Sequence, residues 1–298
     1  MTLPFEVPPG VPLGALRPAL TEHGALLFRN WGIDDLDSFR EFVTLFSRTE
    51  APFGYAGGAS PRKSLDEAGL YTSTEYPPDM TLALHNELSY AEVWPKTLFF
   101  HCLEAAPVGG ETTLGDSRAI LARIDPDVLD AFRSKGVRYV RNLSGFSGSG
   151  YGWRDAFETD DPAEAEAQCR RIGADFEWGE DGSLRMSQVR PATAVHPVTG
   201  EEVWFNQADG FHPSALAPAV YRAMLADCGS EERFRLNATY GDGTPIPIEA
   251  LEHIRAVLRE QTRAHAWQPG DVIVLDNLLA AHGRAPFQGP RKIVLAMR

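Results

Sequence analysis

Cysteine is scarce: three residues in a chain of 298, Cys102, Cys169 and Cys228, with no CxxC or comparable spacing. Neither a disulfide framework nor a thiolate metal site is expected from them. Positive charge is also thin, with 28 Lys and Arg against 41 Asp and Glu, a formal net charge of −13, and basic residues scattered rather than clustered. Such a balance offers no electrostatic footprint for phosphate backbones or anionic lipid, so nucleic acid and membrane surfaces are not expected partners. No apolar run approaches the ~18 residues needed to span a bilayer. The opening Met1-Thr2-Leu3-Pro4-Phe5-Glu6 lacks the charged and apolar regions of a signal peptide, and the cytoplasm is the expected compartment. No internal repeat and no interdomain linker stand out.

What is present is a globular composition, 43% hydrophobic and 23% charged, sufficient for a substantial core. A single elaborated domain over residues 1–298 is expected. The N-terminal part mixes helix and strand: residues 13–22 and 33–46 carry apolar residues at helical spacing, the second with Asp34 or Asp35 as N-cap, around a short apolar run at 24–29. The segment 53–65 is glycine-rich and polar, and it reads as a lid loop. Strands are expected at 97–102, at 136–141 with alternating apolar and charged residues, at 270–276 and at 291–296, the last two as an antiparallel pair. Helices are expected at 117–124, 126–134, 160–172 and 248–264.

The strongest chemical signal is His85-Asn86-Glu87. Two potential ligands at i and i+2 on extended backbone project to the same side and can reach one ion. His282 follows the 272–276 strand and can complete a two-histidine, one-carboxylate face that suits iron(II) and leaves positions open for substrate and oxygen. Arg291 opens the next strand, where its planar fork can take a carboxylate of a dicarboxylate, while Lys292 points to the opposite face. The other histidines, His101 and His196 among them, read as core or surface residues.

These residues resemble the taurine dioxygenase and clavaminate synthase-like family of iron(II), 2-oxoglutarate-dependent oxygenases. Leu84-His85-Asn86-Glu87-Leu88-Ser89-Tyr90, Gly109-Gly110-Glu111-Thr112, Val203-Trp204-Phe205-Asn206-Gln207 and the stretch from Gly270-Asp271 through His282-Gly283-Arg284 to Gly289-Pro290-Arg291 occur in that family's order and spacing. The resemblance implies a mainly β fold with flanking helices, a double-stranded β-helix (jelly-roll, cupin-like), with the metal at its open end. It implies His85, Glu87 and His282 as iron ligands and Arg291 with Thr112 as the 2-oxoglutarate site, with O2 as the other cosubstrate. The chain departs from the taurine enzyme at Glu87, where that enzyme has Asp, and at apolar Leu295, where a sulfonate-binding arginine would stand.

The segments are most similar to a subgroup that hydroxylates amino acids in peptide natural-product pathways, free or tethered to a carrier protein. The expected function is therefore hydroxylation of an unactivated carbon of an amino-acid-type substrate, with Asn206 and the lid residue Arg62 as candidate substrate contacts. Glu87 in the carboxylate position argues against a halogenase. Three readings stay open beside hydroxylation: desaturation or cyclisation by the same site, and a jelly-roll that binds metal without redox chemistry. A glycine-rich stretch at 145–153 is no phosphate cradle, since no βαβ unit surrounds it and no Lys-Ser/Thr follows; residues 144–158 are expected as a second lid.

Overall fold

The computed structural model describes residues 3–48, 50–55, 58–60, 62–65, 69–73, 76–146 and 151–298. Two sheets face each other to make the jelly-roll. The larger has six strands in the order Phe5–Val7, Ala25–Phe28, Val272–Asp276, Thr97–Glu104, Lys292–Met297, Leu70–Thr72. The smaller has four: Arg263–His265, Thr112–Asp116, Ala280–Arg284, Leu82–His85. The larger sheet is covered on both faces, which explains why its strands are continuous apolar runs rather than alternating ones. Leu27, Phe100, Leu275 and Leu295 point into the barrel with Leu84 and Leu114 of the facing sheet. Leu26, Phe99, Val274 and Val294 point the other way, onto Leu20 of the Arg17–His23 helix and Phe39, Phe42, Val43 and Phe46 of the Leu36–Ser47 helix. That second helix starts where Asp35 accepts the Ser38 N–H at 2.8 Å, an N-cap.

A third, four-stranded sheet, ordered Leu236–Tyr240, Val137–Leu143, Leu184–Arg190, Asp175–Trp178, closes the mouth side. Trp153 and Phe157 of the Trp153–Phe157 helix, with Ala165 and Cys169 of the Pro162–Arg171 helix, seal one of its faces. The Ile248–Gln261 helix buries Leu251, Ile254, Val257 and Leu258, a stripe at helical spacing, in the main core.

Two expectations are corrected. Val272–Asp276 and Lys292–Met297 are not an antiparallel pair: both are antiparallel to Thr97–Glu104, which lies between them. The chain leaves the first of these strands for Ala280–Arg284 in the opposite sheet before returning, a crossover that local turn signals do not encode. The Val137–Leu143 strand also fails to keep its charges outward, because Arg141 is only 2% exposed. Of the two expected lids, residues 56, 57, 61 and 147–150 lie outside the described residues. The second lid is partly ordered scaffold, with Trp153 buried at the start of its helix.

Candidate metal and cosubstrate centre

The centre is assembled by strand pairing. His85 ends the Leu82–His85 strand and stands directly opposite His282 in the Ala280–Arg284 strand, with ring centroids 4.4 Å apart. The register slips between His282 and Arg284. Gly283 permits this close approach, since a Cβ there would stand 2.4 Å from the Leu82 carbonyl oxygen.

Glu87 departs from the extended geometry expected of it. The strand stops at His85, and the backbone turns through Leu88 at φ 56°. The turn is held by side-chain amides. Asn277, fully buried, accepts the Glu87 N–H at 2.8 Å and donates to the Glu87 and Pro95 carbonyls at 2.9 and 2.8 Å. Asn86 donates to the Asn277 carbonyl at 2.7 Å, and Gln207 to the Asn86 carbonyl at 2.9 Å. Asn86 and Asn277 have no role assigned from the sequence, whereas the Gln207 amide, open there to a substrate contact or a structural hydrogen bond, makes the latter; polar amides beside otherwise apolar runs are the available signal. With backbone and side chain so tied, the ligand-type atoms of His85, Glu87 and His282 all lie within 4.8 Å of one another, and His282 Nε2 is 3.7 Å from Glu87 Oε2.

The donor chemistry fits a divalent transition metal. Burial lowers the pKa of His85, and burial with His85 and Arg62 nearby holds His282 well below the ordinary histidine value, so both imidazoles are neutral. His85 Nδ1 lies 2.9 Å from the Ala83 carbonyl, an acceptor that favours the tautomer in which Nδ1–H donates to it and the Nε2 lone pair is left for a ligand.

On the other side of Glu87 stands Arg62, whose Nη2 donates to Glu87 Oε2 at 2.5 Å while its guanidinium covers the Tyr55 ring at 4.9 Å. Burial works against the Arg62 charge, but Glu87 and Tyr55 outweigh it and raise its pKa. Among the described residues, Arg62 Nε and Nη1 meet no hydrogen-bond acceptor in good geometry, although the Tyr55 side chain lies beside the guanidinium. Arg291 and Thr112 line the same small cavity as Arg62, His282 and Arg284, while Lys292 is exposed. Arg291 donates to the Gly110 carbonyl at 3.0 Å, and burial beside Arg284 lowers its pKa to about 10. Thr112 Oγ1 accepts the Trp267 indole N–H at 2.9 Å. The cavity measures about 30 Å³, room for about one or two waters and not for a five-carbon diacid, so one wall must shift on binding. Arg62 is a lining side chain carried by an irregular segment.

Asn206 is less central than its neighbour. Its amide donates to the Ala192 carbonyl at 2.8 Å and accepts the Ala208 N–H at 3.1 Å. Leu295 is fully buried between Phe100 and Tyr71 in the sheet register. His196, read as bland, contacts Asp276 at 3.1 Å in a buried structural pair.

A jelly-roll that brings two histidines and a carboxylate together beside a small cavity lined by arginines is the arrangement of the non-haem metal oxygenases. Comparison with known proteins agrees. Residues 9–297 match the model of the taurine catabolism dioxygenase TauD, TfdA family, and the chain belongs to that family. It is 40% identical to the dapdiamide synthesis protein DdaC of Enterobacter agglomerans over 278 residues, 93% of this chain and 83% of that one. It is 32% identical to a clavaminate synthase-like protein of Arabidopsis thaliana over 290 residues, 93% and 82% of the two chains. Its fold is similar to PvcB, an Fe, alpha-ketoglutarate dependent oxygenase from an isonitrile synthetic pathway, at a TM-score of 0.51 and 16% identity, covering 99% of this chain and 82% of that one. The protein is an iron(II)- and 2-oxoglutarate-dependent dioxygenase using O2. Among the described residues, no helix is long and apolar enough to cross a membrane.

Proposed function

We propose that residues 1–298 form one catalytic unit that hydroxylates an unactivated carbon of an amino acid, free or tethered to a carrier protein. The observation that carries the proposal is the convergence of His85, Glu87 and His282, the last of which lines the cavity that Arg291 and Thr112 also line. Iron(II) bound there, with 2-oxoglutarate and O2, supplies the oxidant that takes hydrogen from carbon, while 2-oxoglutarate leaves as succinate and carbon dioxide.

The chain's own residues do the rest. His85, Glu87 and His282 hold the metal. Arg291 takes the distal carboxylate of 2-oxoglutarate and Thr112 its hydroxyl contact, in a pocket dry enough to strengthen both bonds. Arg62 offers two buried N–H groups to a substrate carboxylate. Asn206, tied at both ends to backbone, shapes the neighbouring wall.

The amino-acid reading is supported by the name of the dapdiamide synthesis relative and the pathway of the isonitrile neighbour, both small-molecule routes. Glu87 fills the position that a halogenase would clear for chloride. Leu295, buried and apolar, offers nothing to a sulfonate. The test assays substrate-stimulated succinate formation with taurine, free amino acids and aminoacyl carrier proteins, coupled to product mass. A product gaining one oxygen supports hydroxylation; loss of two hydrogens supports desaturation or cyclisation instead. Turnover of taurine with no turnover of any amino acid in either form sinks the substrate assignment.

A further inference from the structure

Arg62 and Glu87 form an ion pair closed off from water, their side chains 2% and 4% exposed, with Nη2 and Oε2 2.5 Å apart. The oxygen so engaged is the one that lies 3.7 Å from His282 Nε2. Arg62 therefore holds the carboxylate that a metal at this centre needs.

Other contacts fix the geometry of the centre without charge. Asn277 ties the Glu87 N–H and carbonyl at 2.8 and 2.9 Å, and strand pairing sets His85 against His282. The backbone that presents the carboxylate hence does not depend on Arg62. What Arg62 supplies is positive charge, and without a metal a buried carboxylate requires it.

The balance changes once a divalent ion enters. Two neutral histidines and one carboxylate leave that ion with net positive charge, and a guanidinium kept on the same carboxylate adds a like charge in a site of low dielectric. An outer partner of a metal ligand ordinarily strengthens metal binding, and its loss costs about 10- to 100-fold in affinity. Arg62 bears the sign of the metal itself, so it competes for the carboxylate instead of supporting it. It also takes up space: with Thr112, His282 and Arg291 it lines the cavity of about 30 Å³, too small for 2-oxoglutarate as it stands.

We propose that Arg62 and the metal exchange on Glu87: without metal the guanidinium neutralises the carboxylate, and a bound ion displaces it, which enlarges the cavity and frees the guanidinium for a carboxylate. Binding is then ordered, metal before the anions. This deepens the function proposed above and rests on it.

The test is calorimetric titration of Mn(II) into the metal-stripped full-length protein at one fixed pH, without 2-oxoglutarate. Arg62→Gln is expected to bind Mn(II) about ten-fold or more tighter than wild type, because a charge-assisted bond no longer has to break. Arg62→Lys, which keeps the charge, is expected to gain less. Lys63→Gln removes the same charge from the exposed neighbouring position and is expected to stay within about two-fold of wild type. A second readout needs no variant, so an unstable Arg62→Gln protein does not protect the proposal: labelling of Arg62 by phenylglyoxal, followed by peptide mass spectrometry, is expected to be at least about two-fold faster with Mn(II) bound. Equal or weaker Mn(II) binding by Arg62→Gln, an equal gain from Lys63→Gln, or an Arg62 labelling rate that Mn(II) leaves unchanged overturns the proposal. Glu87→Ala separates this from failure of the function itself. Mn(II) binding that survives Glu87→Ala at full affinity puts the ion elsewhere and sinks the centre, whereas binding lost in Glu87→Ala but not tightened in Arg62→Gln sinks only the exchange.

Discussion

The two flanks of Glu87 are built from opposite materials. On the histidine side, strand pairing sets His85 against His282, and Asn277 closes both backbone groups of Glu87 in a fully buried clamp. On the Arg62 side, the described residues of 53–65 form no helix and no strand beyond one bridge from Ser64 to Tyr71. That segment is pinned by tyrosine hydroxyls: Tyr71 accepts the Tyr55 N–H at 3.2 Å, Tyr90 accepts that of Ala59, and Tyr55 donates to the Ser60 carbonyl at 3.1 Å. Charged donors add to these hydroxyl bonds: Arg62 holds Glu87, and Arg141 and Arg235 donate to the Gly58 and Ala59 carbonyls, so this flank is held by side chains rather than by a strand ladder. The difference teaches that one flank of Glu87 is fixed by strand pairing and amide clamps, and the other by side-chain contacts to an irregular segment.

Removing a ligand should have the largest effect. Glu87→Ala is expected to abolish turnover and to weaken Mn(II) binding by more than about 100-fold, beyond what loss of an outer partner costs. Retained full activity would break the comparison at its root. Next comes the clamp: Asn277→Ala leaves the Glu87 N–H and carbonyl without their partner, and should cost about 10- to 100-fold in metal affinity as well as about 1–3 kcal/mol of stability, read from calorimetry and thermal melts. Arg291→Gln should raise the 2-oxoglutarate concentration needed for half-maximal rate by about ten- to a hundred-fold, with Lys292→Gln near wild type. Equal effects from the two would show that the wrong side chain faces the cavity.

Arg62→Gln sharpens the contrast. It is expected to weaken substrate binding by about ten-fold while lowering the melting temperature less than Asn277→Ala does. A larger melting shift from Arg62→Gln would mean that the irregular side is as structural as the clamped one.

The effect expected to be smallest on turnover, and read on stability alone, concerns Asp209, just beyond the Gln207 that donates to the Asn86 carbonyl. Burial raises its pKa to about 6, against a partial opposing effect of Arg255. A raised folded-state value means that its favourable contribution is complete below the ordinary carboxylate pKa and is lost as pH rises through about 6. Asp209→Asn should therefore stabilise the protein at pH 8 by about 1–3 kcal/mol relative to wild type, and by less at pH 5. Melting curves at both pH values check this.

The sequence made the strand-borne part of the centre legible and the turn-borne part only in outline. His85, Glu87 and His282 could be singled out by residue type and spacing, and the apolar runs at 97–102 and 272–276 marked the sheet that faces theirs. The physical reason proposed for Glu87 was wrong, since the strand ends at His85 and a left-handed turn at Leu88 carries the carboxylate round. Asn277 was invisible as a clamp because its partners are 190 and 182 residues away. The same non-locality hid the Thr97–Glu104 strand between the two C-terminal strands. Alternation misled at Arg141, where a charge faces inward onto Gly58 instead of outward to water.

The most direct measurement is a crystal structure of the protein with Mn(II) and 2-oxoglutarate bound. The expected result is one ion held at about 2.0–2.2 Å by His85, Glu87 and His282, with the distal carboxylate of 2-oxoglutarate on Arg291 and Thr112. An ion held elsewhere, any of the three side chains turned away from it, or the distal carboxylate on Lys292 would contradict the assignment of the centre.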